Sequence, residues 1–316
     1  MAITTTQAPV PAEGPVTALG AERPAVGPAA VVLLAGSVRE SELARQIGRS
    51  LLDLPLGAPG TVLDAWAAGV AALAGPEGVP PLRVLLDRSA PAPRVRDGDG
   101  RVAVTIERDP REFRGTGGLL RDLAEAYGEE QYLLVANGHQ VLFQPLVELA
   151  RALAAPGADV AVLAHEDSTP CGVMLVRAGA LRTVRGVGFA DLKEQVLPAL
   201  AGERDVRVVF ARGVASAPVR TLDGYLQALR RLRHGAGPGG AEDPFAEEWF
   251  ESFSLVEEGA EVESPARVHD SVVLRGGRVG AGAVVVRALV CPGGVVGAGE
   301  VVHGRAVTGP ARRTGA

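Results

Sequence analysis

The chain has 316 residues, which is enough for one large domain and a smaller one. Hydrophobic residues make up 47% of it and aromatic residues only 4%, so leucine, valine and alanine must form most of the core. The formal net charge of -5 gives no reason to expect a nucleic-acid partner, and no apolar run is long enough to span a membrane. Cys171 and Cys291 fit no zinc or redox spacing, which favours two buried thiols in a reducing cytosol.

Residues 1–28 are rich in alanine, proline, threonine and glycine. They lack the basic region and the apolar core of a signal peptide. We therefore expect a disordered tail on a cytoplasmic protein.

Short apolar runs alternate with amphipathic segments between residues 29 and 233. This alternation predicts an α/β domain with a Rossmann-like, mixed but mostly parallel sheet. The predicted strands are 29–34, 82–86, 102–106, 132–135, 158–163, 171–176 and 206–210. The predicted helices are 61–74, the part of 115–127 that follows a glycine-rich turn, 146–155, 191–200 and the end of 216–232.

Gly36 turns the chain out of the first strand, and Arg39, Arg45 and Arg49 follow it. A turn from a strand into a helix commonly binds anions, so one interpretation is that these arginines contact phosphate. The other interpretation is a solvated helix face, because Arg45 and Arg49 are four residues apart.

A glycine-rich turn precedes the predicted helix that ends at residue 127. It consists of Gly115, Thr116, Gly117 and Gly118. Glycines allow the backbone to approach a ligand closely, and the helix behind them would point its free N–H groups at that ligand.

The central strand, 132–135, is a continuous apolar run typical of a parallel strand buried on both faces. Asn137 and Gly138 then turn the chain, and His139 follows at the carboxyl end of the strand. Ligands of open α/β sheets bind at that edge. We expect five residues to face one crevice there, because each ends a strand or follows a glycine turn. They are Gly36, Arg39, Arg49, Gly117 and His139.

Glycines and prolines dominate the start of 234–259, which predicts a linker. Between residues 260 and 305, apolar residues recur about every six positions, at Val262, Val268, Leu274, Val279, Val285, Val296 and Val302. This spacing predicts the hexapeptide repeats of a left-handed parallel β-helix, with a disordered tail at 306–316. About two coils are too few to be stable alone, so we expect them to pack on the α/β domain or on another subunit.

The order of these features resembles the sugar-1-phosphate nucleotidyltransferases, in particular mannose-1-phosphate guanylyltransferase-like proteins. The resemblance covers about residues 29–303. It implies a GT-A-type fold and a reaction in which an NTP and a sugar 1-phosphate give an NDP-sugar and pyrophosphate. It also implies binding of the nucleotide or sugar by Gly36, Gly115, Thr116, Gly117, Gly118, Asn137, Gly138, Gly172 and Val173, and phosphate contacts by Arg39 and Arg49.

Members of this family hold Mg²⁺ with two aspartates, and the resemblance places these aspartates at His139 and Pro218. Imidazole is a poor substitute for a carboxylate toward Mg²⁺, and proline has no ligand atom in its side chain. Mg²⁺ is therefore the expected cofactor if the protein is active, held at His139, and no cofactor is expected otherwise. Asp223 lies five residues beyond Pro218, where a charge in the first turn of a helix is the more typical role.

Three functional hypotheses follow from these patterns. The first is a protein that binds a nucleotide-sugar or sugar phosphate with impaired catalysis. The second is an active nucleotidyltransferase whose metal is held by His139, by Asp223 or by the substrate phosphates. The third is a structural assembly protein. Neither nucleic acid nor a membrane is an expected partner, whereas the β-helix could join the chain to a second copy or to an active relative.

Overall fold

The structure is a computed structural model that describes residues 27–36, 41–57, 60–96, 100–109, 114–184, 188–234 and 252–310. Arg39 lies outside these residues. So do most of the predicted N-terminal tail, residues 235–251 of the predicted linker and residues 311–316 of the predicted C-terminal tail.

An α/β unit occupies residues 27–234. Its strands are β1 (Ala30–Leu34), β2 (Pro55–Gly57), β3 (Gly60–Thr61), β4 (Leu82–Leu86), β5 (Val104–Arg108), β6 (Tyr132–Asn137), β7 (Gln140–Leu142), β8 (Val160–Ala164), β9 (Pro170–Arg177), β10 (Val206–Phe210) and β11 (Ser216–Pro218). Its helices are α1 (Glu42–Ile47), α2 (Val62–Ala71), α3 (Gly115–Ala124), α4 (Leu146–Ala154), α5 (Ala178–Arg182), α6 (Leu197–Glu203) and α7 (Leu222–His234). A 3₁₀ turn at Leu51–Asp53 and a π-helical turn at Leu192–Val196 complete the unit.

The central sheet has seven strands in the order β10-β8-β9-β6-β1-β4-β5. Strand β9 runs antiparallel to β6 and β8, and the other four neighbouring pairs are parallel. The predicted mixed, mostly parallel α/β sheet is therefore confirmed. Every residue of β1 is buried, as expected of a central strand that is covered on both faces.

Helices cover both faces of this sheet, and successive residues of β1 contact different layers. Val31 and Leu33 belong to a core that α1, α2, α4 and α7 share. Val32 and Leu34 belong to the core of the opposite face, which α3, α5 and α6 share. The three-layer arrangement leaves the carboxyl ends of β1 and β6 at one edge of the sheet.

A two-stranded ribbon lies beside this edge. Strand β7 follows β6 after the turn at Gly138, and it pairs antiparallel with β11, with Gln140 opposite Pro218. The ribbon brings residues that are distant in sequence next to the end of β6.

The C-terminal unit consists of ten short strands, namely β12 (Ser254–Val256), β13 (Glu261–Val262), β14 (Arg267–His269), β15 (Ser271–Val273), β16 (Arg278–Val279), β17 (Val284–Val286), β18 (Leu289–Val290), β19 (Val295–Val296), β20 (Val301–His303) and β21 (Ala306–Val307). They form three parallel sheets, β12-β15-β18-β21, β13-β16-β19 and β14-β17-β20. Val262 pairs with Val279 and Val279 with Val296, a spacing of 17 residues. This arrangement is consistent with the predicted β-helix.

The limits of the C-terminal unit differ from the prediction. Strand β12 begins inside the predicted linker, 234–259, because Phe253 is buried in the core and the following residues pair with β15. Strand β21 lies inside the predicted tail, 306–316, because it pairs with β18. The unit thus has more coils than the two expected from the sequence.

The C-terminal unit packs on the α/β unit, as expected for so short a stack of coils. Phe253, Val272 and Leu274 belong to the same core as helices α2, α4 and α7. Arg230 of α7 also forms an ion pair with Asp270, at 2.7 Å.

Both cysteines are buried free thiols, and burial raises the pKa of Cys171 and of Cys291 to about 11. They are therefore protonated at neutral pH. None of the helices in the described ranges combines the length and the hydrophobicity that a membrane span requires.

Candidate ligand-binding site

The first part of the crevice is the contact between the ends of β1 and β6. The amide of Gly138 donates a hydrogen bond to the carbonyl of Leu34 at 2.9 Å, and the amide of Gly36 donates to Leu85 at 3.2 Å. A side chain at Gly36 would overlap the backbone of Asp87. Gly36 and Gly138 therefore lie at the same strand ends, as predicted, and packing between backbones accounts for the glycine at 36.

His139 lies between the end of β6 and the start of β7. Its carbonyl accepts a hydrogen bond from the amide of Val219 at 2.8 Å, and Pro218 pairs with the next residue, Gln140. The structure thus brings together the two positions, 139 and 218, that the sequence resemblance equates with metal-binding aspartates.

The imidazole of His139 is half-buried. Burial lowers its pKa to about 4, and the positive charges of Arg220 and Lys193 lower the pKa further in the same direction. The ring is therefore neutral at physiological pH.

Gly172 and Val173 begin the antiparallel strand that covers this edge. Val173 is buried and pairs with Ala136, next to the end of β6. Gly172 has a positive φ of 72°, and a side chain there would lie 2.8 Å from the amide nitrogens of Asn137 and Gln140. Gly172, Asn137 and Gln140 thus meet at the carboxyl end of β6.

Gln140 is 5% exposed, and its amide oxygen is buried without a hydrogen-bond partner among the described residues. Its backbone is fixed from the other side, because the indole of Trp66 donates a hydrogen bond to its carbonyl at 3.0 Å. Trp66 lies on α2, whose capping box between Thr61 and Asp64 sets the start of the helix.

The predicted glycine-rich turn has a different local structure from the one expected. Helix α3 begins at Gly115, so Thr116, Gly117 and Gly118 form its first turn instead of preceding it. The amide of Gly117 donates to the carbonyl of Ala190 at 2.9 Å, and a side chain at Gly117 would overlap Val196. The glycines allow α3 to pack closely on the segment around Ala190.

The same segment also contacts the first turn of α3 through side chains. Thr116 accepts a hydrogen bond from the amide of Leu192 at 3.2 Å, and the next residue is Lys193. Asp191 caps this turn by accepting hydrogen bonds from the amides of Lys193 and Glu194. The first turn of α3 and the π-helical turn are therefore joined directly, and Lys193 lies at this junction.

Arg49 does not join these residues. Its guanidinium forms two hydrogen bonds with the carboxylate of Glu257, at 3.0 and 2.7 Å, and only 16% of its side chain is exposed. The predicted phosphate contact by Arg49 is corrected accordingly, because a bidentate pair with a carboxylate already uses its terminal nitrogens. Arg39 lies outside the described residues.

The residues at positions 139 and 218 do not fit Mg²⁺. The ion favours near-octahedral oxygen ligands, and here it would meet a neutral imidazole, a proline and two side-chain cations. No group of three or more histidine, cysteine, aspartate or glutamate side chains in the described ranges could hold a metal. Asp223, the alternative acid, is exposed in the first turn of α7, where Gln227 donates a hydrogen bond to it.

Solved structures with a similar fold cover about two thirds of the chain. A homologue of Rv0371c from Mycobacterium sp. strain JC1 is 18% identical over 65% of this chain and 96% of its own, with a TM-score of 0.44. A protein assigned as a glucose-1-phosphate thymidylyltransferase from Bacillus anthracis, crystallised with a sucrose, is 11% identical over 65% and 95%, with a TM-score of 0.48. Rv0371c from Mycobacterium tuberculosis H37Rv is 23% identical over 64% and 97%, with a TM-score of 0.45. No protein-family model and no curated protein sequence matches the chain.

The sequence reasoning did not single out Gln140, which lies beside Gly172, or Lys193 and Arg220, whose charges lower the pKa of His139. A buried glutamine directly after a strand-end histidine is a weak signal by itself. Lys193 carries a stronger signal. It is the single lysine in a sequence whose other basic residues are arginines, and this can be seen without a structure. Arg220 has no local signal, because arginine is common throughout this chain.

Proposed function

We propose that the protein binds a nucleotide-sugar or a sugar 1-phosphate in the crevice at the carboxyl ends of β1 and β6, and that it transfers nucleotidyl groups poorly. The observation that carries the proposal is the proximity of positions 139 and 218. A histidine and a proline occupy them, so the two carboxylates that the resembling family uses for its metal are both replaced.

Nucleotidyl transfer needs stabilisation of the negative charge that moves across the phosphates. Removing one preorganised stabilising group commonly costs about 3 kcal/mol, or roughly a hundredfold in rate. Both carboxylates are replaced here, and the described residues contain no group of three or more histidine, cysteine, aspartate or glutamate side chains that could hold a metal instead. Binding depends less on a metal, because backbone amides and side-chain cations interact with phosphate directly.

A pyrophosphate-release assay combined with calorimetry tests this proposal. Each NTP is incubated with sugar 1-phosphates and Mg²⁺ or Mn²⁺, and binding of NDP-sugars and sugar 1-phosphates is measured on the same protein. We expect binding with little or no turnover. Turnover at ordinary enzymatic rates would show an active enzyme instead, and the absence of any binding would favour a purely structural role.

We propose further that the C-terminal coils form a left-handed β-helix that contacts a second subunit, either a copy or an active relative. Val295 and Val301 support this, because their side chains are 61% and 69% exposed in the last coil. Light scattering of the wild type and of a V295D/V301D variant tests it. A monomeric wild type would exclude a second copy of this chain as the contacting subunit.

A further inference from the structure

We infer that two copies of this chain pair through strand β10, which joins their central sheets into one continuous sheet. The two β10 strands run antiparallel about a twofold axis at Val206. This surface belongs to the α/β unit and does not involve the last coil of the C-terminal unit. The inference therefore goes beyond the proposed function.

Strand β10 is an edge of the seven-stranded sheet, because its strand neighbour in the described residues is β8 alone. The carbonyl of Asp205 and the amide of Ala211 form hydrogen bonds with β8. Backbone groups alternate in direction along a strand, so the amides and carbonyls of Val206, Val208 and Phe210 point away from β8. These groups form an open edge that another strand can pair with.

The side chains at this edge are apolar. Val208 and Phe210 are each 56% exposed, and they lie on the same face of the strand as Val206. Val206 packs partly against the core that α3, α5 and α6 share, so this is the face on which α6 lies. Strand β5, at the opposite edge of the sheet, exposes no large apolar residue. Since most edge strands are protected by charge, proline or a bulge, an exposed apolar edge is typical of a strand that pairs with another chain.

The charges of β10 identify the partner as a second copy. Asp205 and Arg207 lie on the other face of the strand, both exposed, and form an ion pair at 2.6 Å. An antiparallel pairing about Val206 places Asp205 opposite Arg207 of the second copy, and Arg207 opposite its Asp205. The four charges then alternate around a square, and opposite charges at facing positions stabilise paired strands. The strand is thus complementary to itself, as a twofold interface requires.

The neighbouring registers lack this match. A twofold axis at Arg207 would place that arginine opposite itself. An axis at Val208 would place Arg204 opposite Arg212, just beyond the two ends of the strand. Like charges at facing positions destabilise paired strands, so the charges select the axis at Val206.

The same register fits the backbone and the shape of the edge. Val206 exchanges hydrogen bonds with Val206 of the second copy, and the amide of Val208 donates to the carbonyl of Arg204. The amide of Arg204 takes no part, because it already caps α6 with a hydrogen bond of 2.8 Å. Phe210 falls opposite Gly202 near the end of α6, where a side chain would meet nothing within 4 Å. This open space can receive the ring of Phe210.

Charge exchange followed by analytical ultracentrifugation tests the inference. We expect the wild type to be a dimer. D205R and R207D should each weaken dimerisation about tenfold or more, because each change places like charges opposite each other. An equimolar mixture of D205R and R207D should form a heterodimer, since every facing pair is again of opposite sign. Neither variant retains the ion pair within its own strand, so recovery in the mixture must come from contact between chains.

R151D is the matched control for these variants. Arg151 is an exposed arginine on α4, and reversing its charge should leave the dimer intact. The same measurements on the V295D/V301D background remove any contribution from the last coil.

Cysteine substitution measures the register. An axis at Val206 brings the two copies of that residue to a Cα–Cα distance of about 5.5 Å, within disulfide range. The two copies of Val208 would then lie roughly 13 Å apart. V206C should therefore form a disulfide-linked dimer on mild oxidation, whereas V208C should not. Cys171 and Cys291 are buried and do not compete.

Four outcomes overturn the inference. They are a monomeric wild type, a mixture of D205R and R207D that stays monomeric, a disulfide in V208C in place of V206C, and a dimer that only V295D/V301D disrupts. None of them concerns ligand binding in the crevice, so the inference can fail while the binding function proposed for the crevice stands.

Discussion

His139 has the environment of a neutral group, because burial and the charges of Lys193 and Arg220 all disfavour its protonated form. At a strand end that the sequence resemblance assigns to a metal, the chain has replaced an anion by a neutral ring. Pro218, its neighbour across the ribbon, likewise contributes no charge. Neither His139 nor Pro218 thus brings a negative charge to this end of the strand.

The lowered pKa of His139 predicts a pH dependence of stability. The pKa is about 4 in the folded protein and 6.5 in the unfolded chain, so between these values the unfolded chain binds more protons. The free energy of unfolding should therefore fall as the pH drops from 6.5 toward 4. H139Q does not titrate, and the wild type should lose about 3 kcal/mol relative to it between pH 7 and pH 4. Urea unfolding of both proteins at several pH values measures the difference, and parallel curves would contradict the prediction.

Replacing both positions by acids should create a metal site. We expect H139D/P218D to bind Mg²⁺ about tenfold more tightly than the wild type, since two carboxylates at neighbouring positions are the ligands Mg²⁺ prefers. Lys193 and Arg220 remain nearby and limit the gain. Calorimetry with MgCl₂ measures it. H139N is the uncharged control, and equal Mg²⁺ affinity in H139N and the double variant would show that the positions do not converge.

At the scale of elements, the crevice depends on close packing between strand ends and turns. The ribbon of β7 and β11 closes beside β6, and Gly172 lets β9 pass close to the amides of Asn137 and Gln140. Gly117 does the same for α3 against the segment at Ala190. The glycines that the sequence suggested for ligand contact thus also let backbone segments pack together.

The Gly172 contact can be separated from its backbone strain. Gly172 and Gly213 both have a positive φ, 72° and 65°, but an added side chain meets Asn137 and Gln140 only at Gly172, while Gly213 faces open space. G172A should therefore destabilise the protein by roughly 1–3 kcal/mol more than G213A. Thermal and urea unfolding compare the two variants. An equal loss of stability in both variants would show that the positive φ alone, and not the contact with Asn137 and Gln140, destabilises G172A.

At the scale of the whole molecule, Arg49 and Glu257 connect the two units. Their side chains are 16% and 17% exposed, and the pair is bidentate. Glu257 also accepts a hydrogen bond from the amide of Arg275 at 2.7 Å, so one carboxylate holds both units. This pair and the shared core stabilise the short C-terminal unit, which has too few coils to be stable alone.

A double-mutant cycle measures this connection. R49A, E257A and the double variant should give a coupling energy of about 1–3 kcal/mol, because the pair is charge-assisted and largely removed from water. The control is the cycle on Arg278 and Glu261, an ion pair within the C-terminal unit whose side chains are both 64% exposed. It should give less than about 1 kcal/mol. A coupling for Arg49 and Glu257 no larger than that of the control would remove it as a link between the units.

The sequence by itself determined the elements and the class of fold. Apolar runs such as 29–34 and 132–135 match strands β1 and β6, because a buried strand must be apolar along its length. The six-residue spacing predicted parallel coils, because stacked coils must place an apolar residue at each repeated position. The turn at Asn137 and Gly138, with His139 after it, also predicted a ligand-binding edge, since the strand order of α/β folds puts ligands at such an edge.

Only the tertiary structure decided which side chains meet. Arg49 reads in the sequence as one of several phosphate-binding arginines, yet it pairs with Glu257, 208 residues further along the chain. Lys193 and Arg220 lie far from His139 in sequence, yet their charges lower its pKa in the folded protein. Local periodicity reports which face of an element is buried, whereas charge pairing depends on contacts between distant segments. That is the physical reason why the fold could be predicted from the sequence and the cations of the crevice could not.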